Sequence, residues 1–140
     1  MLEIPRSVVE EMVAHCLAAY PLEACGLVSG WPEGAGPSPG AARVEGAHPA
    51  DNLARSSRVY ELDPRALLRT ERAAEAQGMS ILGVYHSHTH TEARPSPTDI
   101  AQAPDPEWHY LLVSLRDQHP SVRSWRIWDG NIKEERLVLK

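Results

Sequence analysis

Val8, Met12 and Cys16 stand four residues apart, and Val9, Val13 and Leu17 run beside them. That spacing predicts an amphipathic helix over residues 5–20, which Pro21 closes. Residues 24–30 (ACGLVSG) form a short apolar run, expected as a buried strand. From 31 to 52 the chain turns to Gly, Pro and Ala, which predicts a turn, a weak strand around residues 43–44 and a mobile loop.

Residues 57–62 are expected as a further strand. Asp63-Pro64 opens a helix, with Asp as N-cap and Pro at the first helical position, and Gly78 stops it after Gln77. Residues 79–85 (MSILGVY) read as a central strand that delivers the chain into HSHTH. Ser96-Pro97-Thr98-Asp99 has the signature of a second capped start, with Ser96 as N-cap and an acidic residue three on. That short helix reaches about Ala103 before Pro104. Residues 108–115 and 121–128 are strand candidates, a hairpin turn falls at Asp129–Asn131, and the last strand covers 132–139. With no internal repeat, residues 1–140 are expected as a single domain, one mixed sheet with helices packed on it.

Composition narrows the function. A chain of 140 residues can bury one core, and 42% hydrophobic with 24% charged residues is the balance of a soluble globular protein. A net charge of −5 with no basic run argues against nucleic acid as the main partner. The N-terminal stretch is acidic where a signal peptide needs a basic and then an apolar segment. No apolar run has the length of a membrane span, so a cytoplasmic location away from any membrane is expected. Cys16 and Cys25 form no C-x-x-C pair and are expected as reduced thiols, Cys25 as a small core residue.

The candidate chemistry lies at residues 86–99. On a strand, His86 and His88 project from one face with Cα atoms about 6.6 Å apart, close enough to converge on one metal. His90 continues the spacing, and three strand histidines are a rival ligand set. On a straight strand, however, His86 and His90 would stand about 13 Å apart. Asp99, in the first turn of the helix that starts at Ser96, is the better third ligand. A His, His, Asp set leaves one tetrahedral position for water, the arrangement of a catalytic rather than a structural zinc site. His15 is expected on the surface of the first helix. His48, His109 and His119 lack spaced partners and read as structural or exposed. Trp108, Trp125 and Trp128 read as sheet packing.

His86-x-His88, seven residues, Ser96, two residues and Asp99 together resemble the JAMM motif of the MPN (Mov34/PAD-1) metallopeptidases. That motif also needs a glutamate far upstream, after the first helix, where Glu23 stands in PLEACGLVSG. The resemblance implies an α/β fold similar to the cytidine-deaminase fold: a mixed sheet flanked by helices. It implies one Zn2+ bound by His86, His88 and Asp99, with Glu23 as the general base and Ser96 as donor to the oxyanion. Many members have Pro after the second histidine, where this chain has Thr89. YHSHTHTEARPSPTD, NLARSSRVYELDP and HYLLVSLRD resemble instead a branch of bacterial peptidases that release cysteine from a ubiquitin-like sulfur-carrier protein. The implied function is hydrolysis after the carrier's Gly-Gly tail. A processing enzyme for another ubiquitin-like protein, a non-catalytic MPN scaffold and a metal-binding regulator are the competing readings. There is no H-E-x-x-H and no P-C-x-x-C, which excludes the zincins and the zinc deaminases.

Overall fold

The computed structural model describes residues 1–140. Along the chain the elements are β1 (Leu2–Ile4), α1 (Arg6–Ala19), β2 (Cys25–Trp31), β3 (Ala42–Ala50), α2 (Pro64–Ala76), β4 (Ser80–His88), α3 (Pro97–Gln102), β5 (His109–Ser114), β6 (Ser121–Trp128), β7 (Asn131–Glu135) and β8 (Leu137–Leu139). The strands join in one mixed sheet in the order β7-β6-β5-β4-β2-β3-β1-β8. β7 and β8 lie at opposite ends of that order, yet only Arg136 separates them in sequence. Consecutive Cα atoms are about 3.8 Å apart, so the sheet curls until its two edges meet.

Period-two alternation divides the core between the two faces. On β5, Leu111 and Val113 pack in one cluster with Val8, Met12 and Cys16 of α1. Tyr110 and Leu112 face the other way and pack with Leu27, Val84 and Trp125. Leu67 of α2 and Ile100 of α3 cover this second cluster. The expected Val8, Met12 and Cys16 stripe of α1 is therefore buried, Val9 and Val13 are partly buried beside it, and Leu17 is exposed. Asp63 caps α2 by accepting a hydrogen bond from the Arg65 N–H, and Pro64 occupies the first turn.

Pairing direction places the site. β2 runs antiparallel to β4, with Cys25 opposite His86. β4 runs parallel to β5, with His86 opposite Leu112 and His88 opposite Ser114. The start of β2 and the ends of β4 and β5 thus meet at one end of the sheet, where strand ends and their loops form crevices in α/β folds.

Several expectations need correction. The weak strand expected around residues 43–44 is present but much longer, since β3 spans nine residues of the Gly, Pro and Ala stretch. Ala42 and Val44 are buried, and β3 is paired by β2 on one side and β1 on the other. Sheet context here outweighs weak local propensity. Residues 57–62 are not a strand; only an isolated bridge joins Asn52 to Leu62. The single strand expected over 132–139 breaks at Arg136, and its second half moves to the far edge to pair with β1. β1 itself has no sequence signal beyond two apolar residues. His15 is half-buried rather than on the surface, with its Nδ1 2.6 Å from the hydroxyl of buried Tyr85. Trp125 is core, whereas Trp128 is 40% exposed.

Candidate metal centre and active site

The last residues of β4 carry His86 and His88, both buried. Ser87, between them, points to the opposite face. Its Oγ accepts the N–H of Ala24 at 2.8 Å, and its own N–H donates to the Ala24 carbonyl at 3.0 Å. This two-way clasp fixes the chain entering β2 and with it Glu23, which would otherwise be a remote residue.

Asp99 reaches the same point from α3. Its N–H donates to Ser96 Oγ at 3.1 Å while its Oδ2 accepts the Ser96 N–H at 2.9 Å, a reciprocal capping box. The same Oδ2 lies 3.2 Å from His86 Nε2 and 2.9 Å from His88 Nε2, and the two nitrogens are 3.3 Å apart. A tetrahedral zinc with bonds of about 2.0–2.1 Å spaces its ligand atoms by roughly 3.3 Å. The three atoms already form a triangle of nearly that size.

The protonation pattern points the same way. His88 Nδ1 is 2.9 Å from the Glu92 carbonyl oxygen, which can only accept, so Nδ1 carries a proton. Protonated on both nitrogens, His88 forms an ion pair with Asp99. Protonated on Nδ1 alone, its Nε2 lone pair faces a carboxylate acceptor, and a cation is what the two can share. His86 has no hydrogen-bond partner at Nδ1 and is held instead by stacking on Tyr60, centroids 4.3 Å apart. Burial lowers the His86 pKa despite the nearby Asp99 carboxylate, which favours a neutral, coordinating imidazole. Burial works against charge on Asp99 too, but hydrogen bonds with His86 and His88 outweigh it and hold the carboxyl well below its usual range. The donor set therefore fits a divalent ion that accepts nitrogen and carboxylate together.

Glu23 is buried beside this triangle, and its Oε1 has no hydrogen-bond partner. Burial pushes its pKa up to about 7, with His88 opposing and Asp99 adding to the shift. A cleft of about 400 Å3 opens over Glu23, His88 and Ser96. The structure thus brings together all five residues picked out in the sequence. His90 does not join the triangle. It is exposed at the rim, with its Nδ1 2.8 Å from Thr89 Oγ1.

Three supporting groups had escaped the sequence reading: Ser87, Tyr60 and the Glu92 carbonyl. Only Ser87 carried a signal, since alternation puts the residue between two ligands on the opposite face. Asn52 is a fourth. Its amide donates to the carbonyls of Glu23 and Val59, at 3.1 and 3.0 Å, and its Oδ1 accepts from Ala54 and Glu61.

Residues 5–128 match the family described as prokaryotic homologs of the JAB domain. The chain belongs to this family. It is 43% identical over 136 residues to the CysO-cysteine peptidase of Mycobacterium tuberculosis, covering 96% of this chain and 88% of that one. It is 38% identical over 106 residues to a desampylase of Haloferax volcanii, covering 75% and 70%. A solution structure from Desulfitobacterium hafniense superposes with a TM-score of 0.88 at 37% identity, covering 100% of this chain and 93% of that one. No helix of this JAB domain is long and apolar enough to cross a membrane.

Proposed function

We propose that this JAB-family chain is a zinc peptidase that hydrolyses the bond after the Gly-Gly tail of a ubiquitin-like sulfur-carrier protein and releases cysteine. The observation that carries the reading is the convergence of His86 Nε2, His88 Nε2 and Asp99 Oδ2 beside the unpartnered Glu23 Oε1. The substrate class is supported by the likeness over nearly the full chain to a CysO-cysteine peptidase.

His86, His88 and Asp99 would hold the zinc, which supplies Lewis acidity toward water and toward the carbonyl to be cleaved. Glu23 Oε1 takes the proton from the attacking water and delivers it to the departing amine. A buried carboxylate beside the reacting water can serve in both directions, as base toward the water and then as acid toward the amine. Ser96 Oγ already accepts the Asp99 N–H, which leaves its own hydrogen free to donate to the substrate oxyanion. The floor of buried strand residues keeps His86 from bulk solvent.

The test is cysteine release from a carrier ending in Gly-Gly-Cys, measured with zinc-loaded protein and again after chelation. Release that is lost on chelation and restored by zinc is expected. No release by protein that holds one zinc per chain would overturn the reading.

A further inference from the structure

The cleft over Glu23 is unusual in that none of the residues lining it is hydrophobic. Glu23 is the one carboxylate that lines it, and an anionic group entering there needs a counter-charge. Arg58 lines the same cleft and is its one permanently charged cation. Its guanidinium is exposed and makes no ion pair or hydrogen bond within the chain.

The backbone that carries Arg58 is held on both sides. Ser56 Oγ accepts the N–H groups of Arg58 and Val59, at 3.0 and 3.3 Å. The Ser56 carbonyl accepts the Glu23 N–H at 2.8 Å. The Ser57 carbonyl accepts the Thr89 hydroxyl at 3.1 Å, one residue beyond His88. Asn52 ties Glu23 to Val59 from behind. Arg58 is therefore mounted directly on the segment of the base and on the strand of the metal ligands, while its head remains unpaired. A planar guanidinium with free donors is shaped to take a carboxylate through two parallel hydrogen bonds.

We propose that Arg58 is the specificity residue of the leaving-group side and binds the free α-carboxylate of the departing residue. The proposal rests on the peptidase reading above and deepens it. The enzyme would remove a single C-terminal residue in preference to cleaving an isopeptide bond or a longer extension. A leaving residue without a free carboxylate leaves Arg58 unpaired and gains nothing from it.

Two substrates test this, a carrier ending in Gly-Gly-Cys with a free C-terminal carboxylate and the same protein with a C-terminal carboxamide. Wild type is expected to prefer the acid in kcat/KM by on the order of ten- to a hundredfold, the range for a hydrogen-bonded charged pair. In Arg58→Gln that ratio should fall to about one, mainly through a higher KM for the acid. Arg58→Lys should keep part of the preference, because charge remains but the two-pronged geometry does not. Since both substrates are read on the same variant, loss of folded protein cancels from the ratio. An undiminished preference in Arg58→Gln would overturn the assignment, as would a wild type that cleaves acid and amide equally. Wild type that cleaves neither substrate overturns the peptidase reading, and Arg58 as its specificity residue falls with it.

Discussion

Asp99 Oδ2 accepts the Ser96 backbone N–H at 2.9 Å and lies at the same distance from His88 Nε2, so one oxygen serves both a helix cap and the metal triangle. The cap orients the carboxylate before any ion arrives. α3 has only six residues and none of them is fully buried, so the cap and the packing of Ile100 are what hold it in place. Ser96 should show this double duty. Ser96→Ala should bind zinc and substrate but lose kcat by on the order of 10²–10³-fold through the missing oxyanion donor. The same change should cost about 1 kcal/mol of stability through the lost cap. Unfolding midpoints measured beside kcat separate the two effects. An unchanged kcat in the folded variant would remove Ser96 from the reaction.

Metal content should distinguish ligands from the base. His88→Ala and Asp99→Ala should each lose stoichiometric zinc and all activity. Glu23→Gln keeps the side-chain shape but cannot accept a proton, so it should retain about one zinc per chain while its rate falls by about 10²–10⁴-fold. It should still bind the carrier and so act as a trap. Zinc analysis of the three variants decides this, and loss of zinc from Glu23→Gln would make Glu23 a ligand.

Zinc should also stabilise the fold. An ion that binds the folded chain alone adds about 4 kcal/mol at a free concentration a thousand times its dissociation constant. Thermal unfolding of the wild type should therefore shift upward with added zinc, and that of Asp99→Ala should shift much less. Equal shifts would point to binding elsewhere.

Acid sensitivity should have a source remote from the metal. Glu135 is half-buried on the edge strand β7, where His109 Nδ1 lies 2.5 Å from its Oε1. Burial acts to raise the Glu135 pKa, but bonds from His109 and Ser124 and the N-terminal charge outweigh it and lower it. A depressed folded pKa contributes stability that is present above the unfolded value of about 4.3. That contribution is lost as pH falls through the folded value. Glu135→Gln should thus be less stable than wild type at neutral pH, and the gap should close in acid once pH has fallen through the lowered folded pKa of Glu135. A gap that persists unchanged there would exclude this linkage.

The junction of β4 and β5 should tolerate no added atom. A Cβ at Gly83 would lie 1.8 Å from the His109 carbonyl oxygen, a backbone group that cannot swing aside. Gly83→Ala should destabilise by about 1–3 kcal/mol or more. Denaturant unfolding checks this, and a variant as stable as wild type would contradict the strand register.

The residues of the site were legible along the chain because their chemistry is local. His86 and His88 share a strand face through a period of two, and Ser96 and Asp99 share one helical turn through a capping box. The amphipathic stripe of Val8, Met12 and Cys16 was equally plain, since helical burial repeats over a short window. Glu23 was found through resemblance alone. Its place beside His88 follows from antiparallel pairing of β2 with β4 and from the Ser87 clasp, contacts between residues about sixty positions apart. The same holds for β3, whose Gly- and Pro-containing stretch becomes a strand because neighbours on both sides satisfy its backbone. It holds also for the break at Arg136, where the curl of the whole sheet sends β7 and β8 to opposite edges. Local periodicity specifies which face a side chain takes, but which strands meet, and therefore which faces share a site, depends on pairing energies summed over the entire sheet.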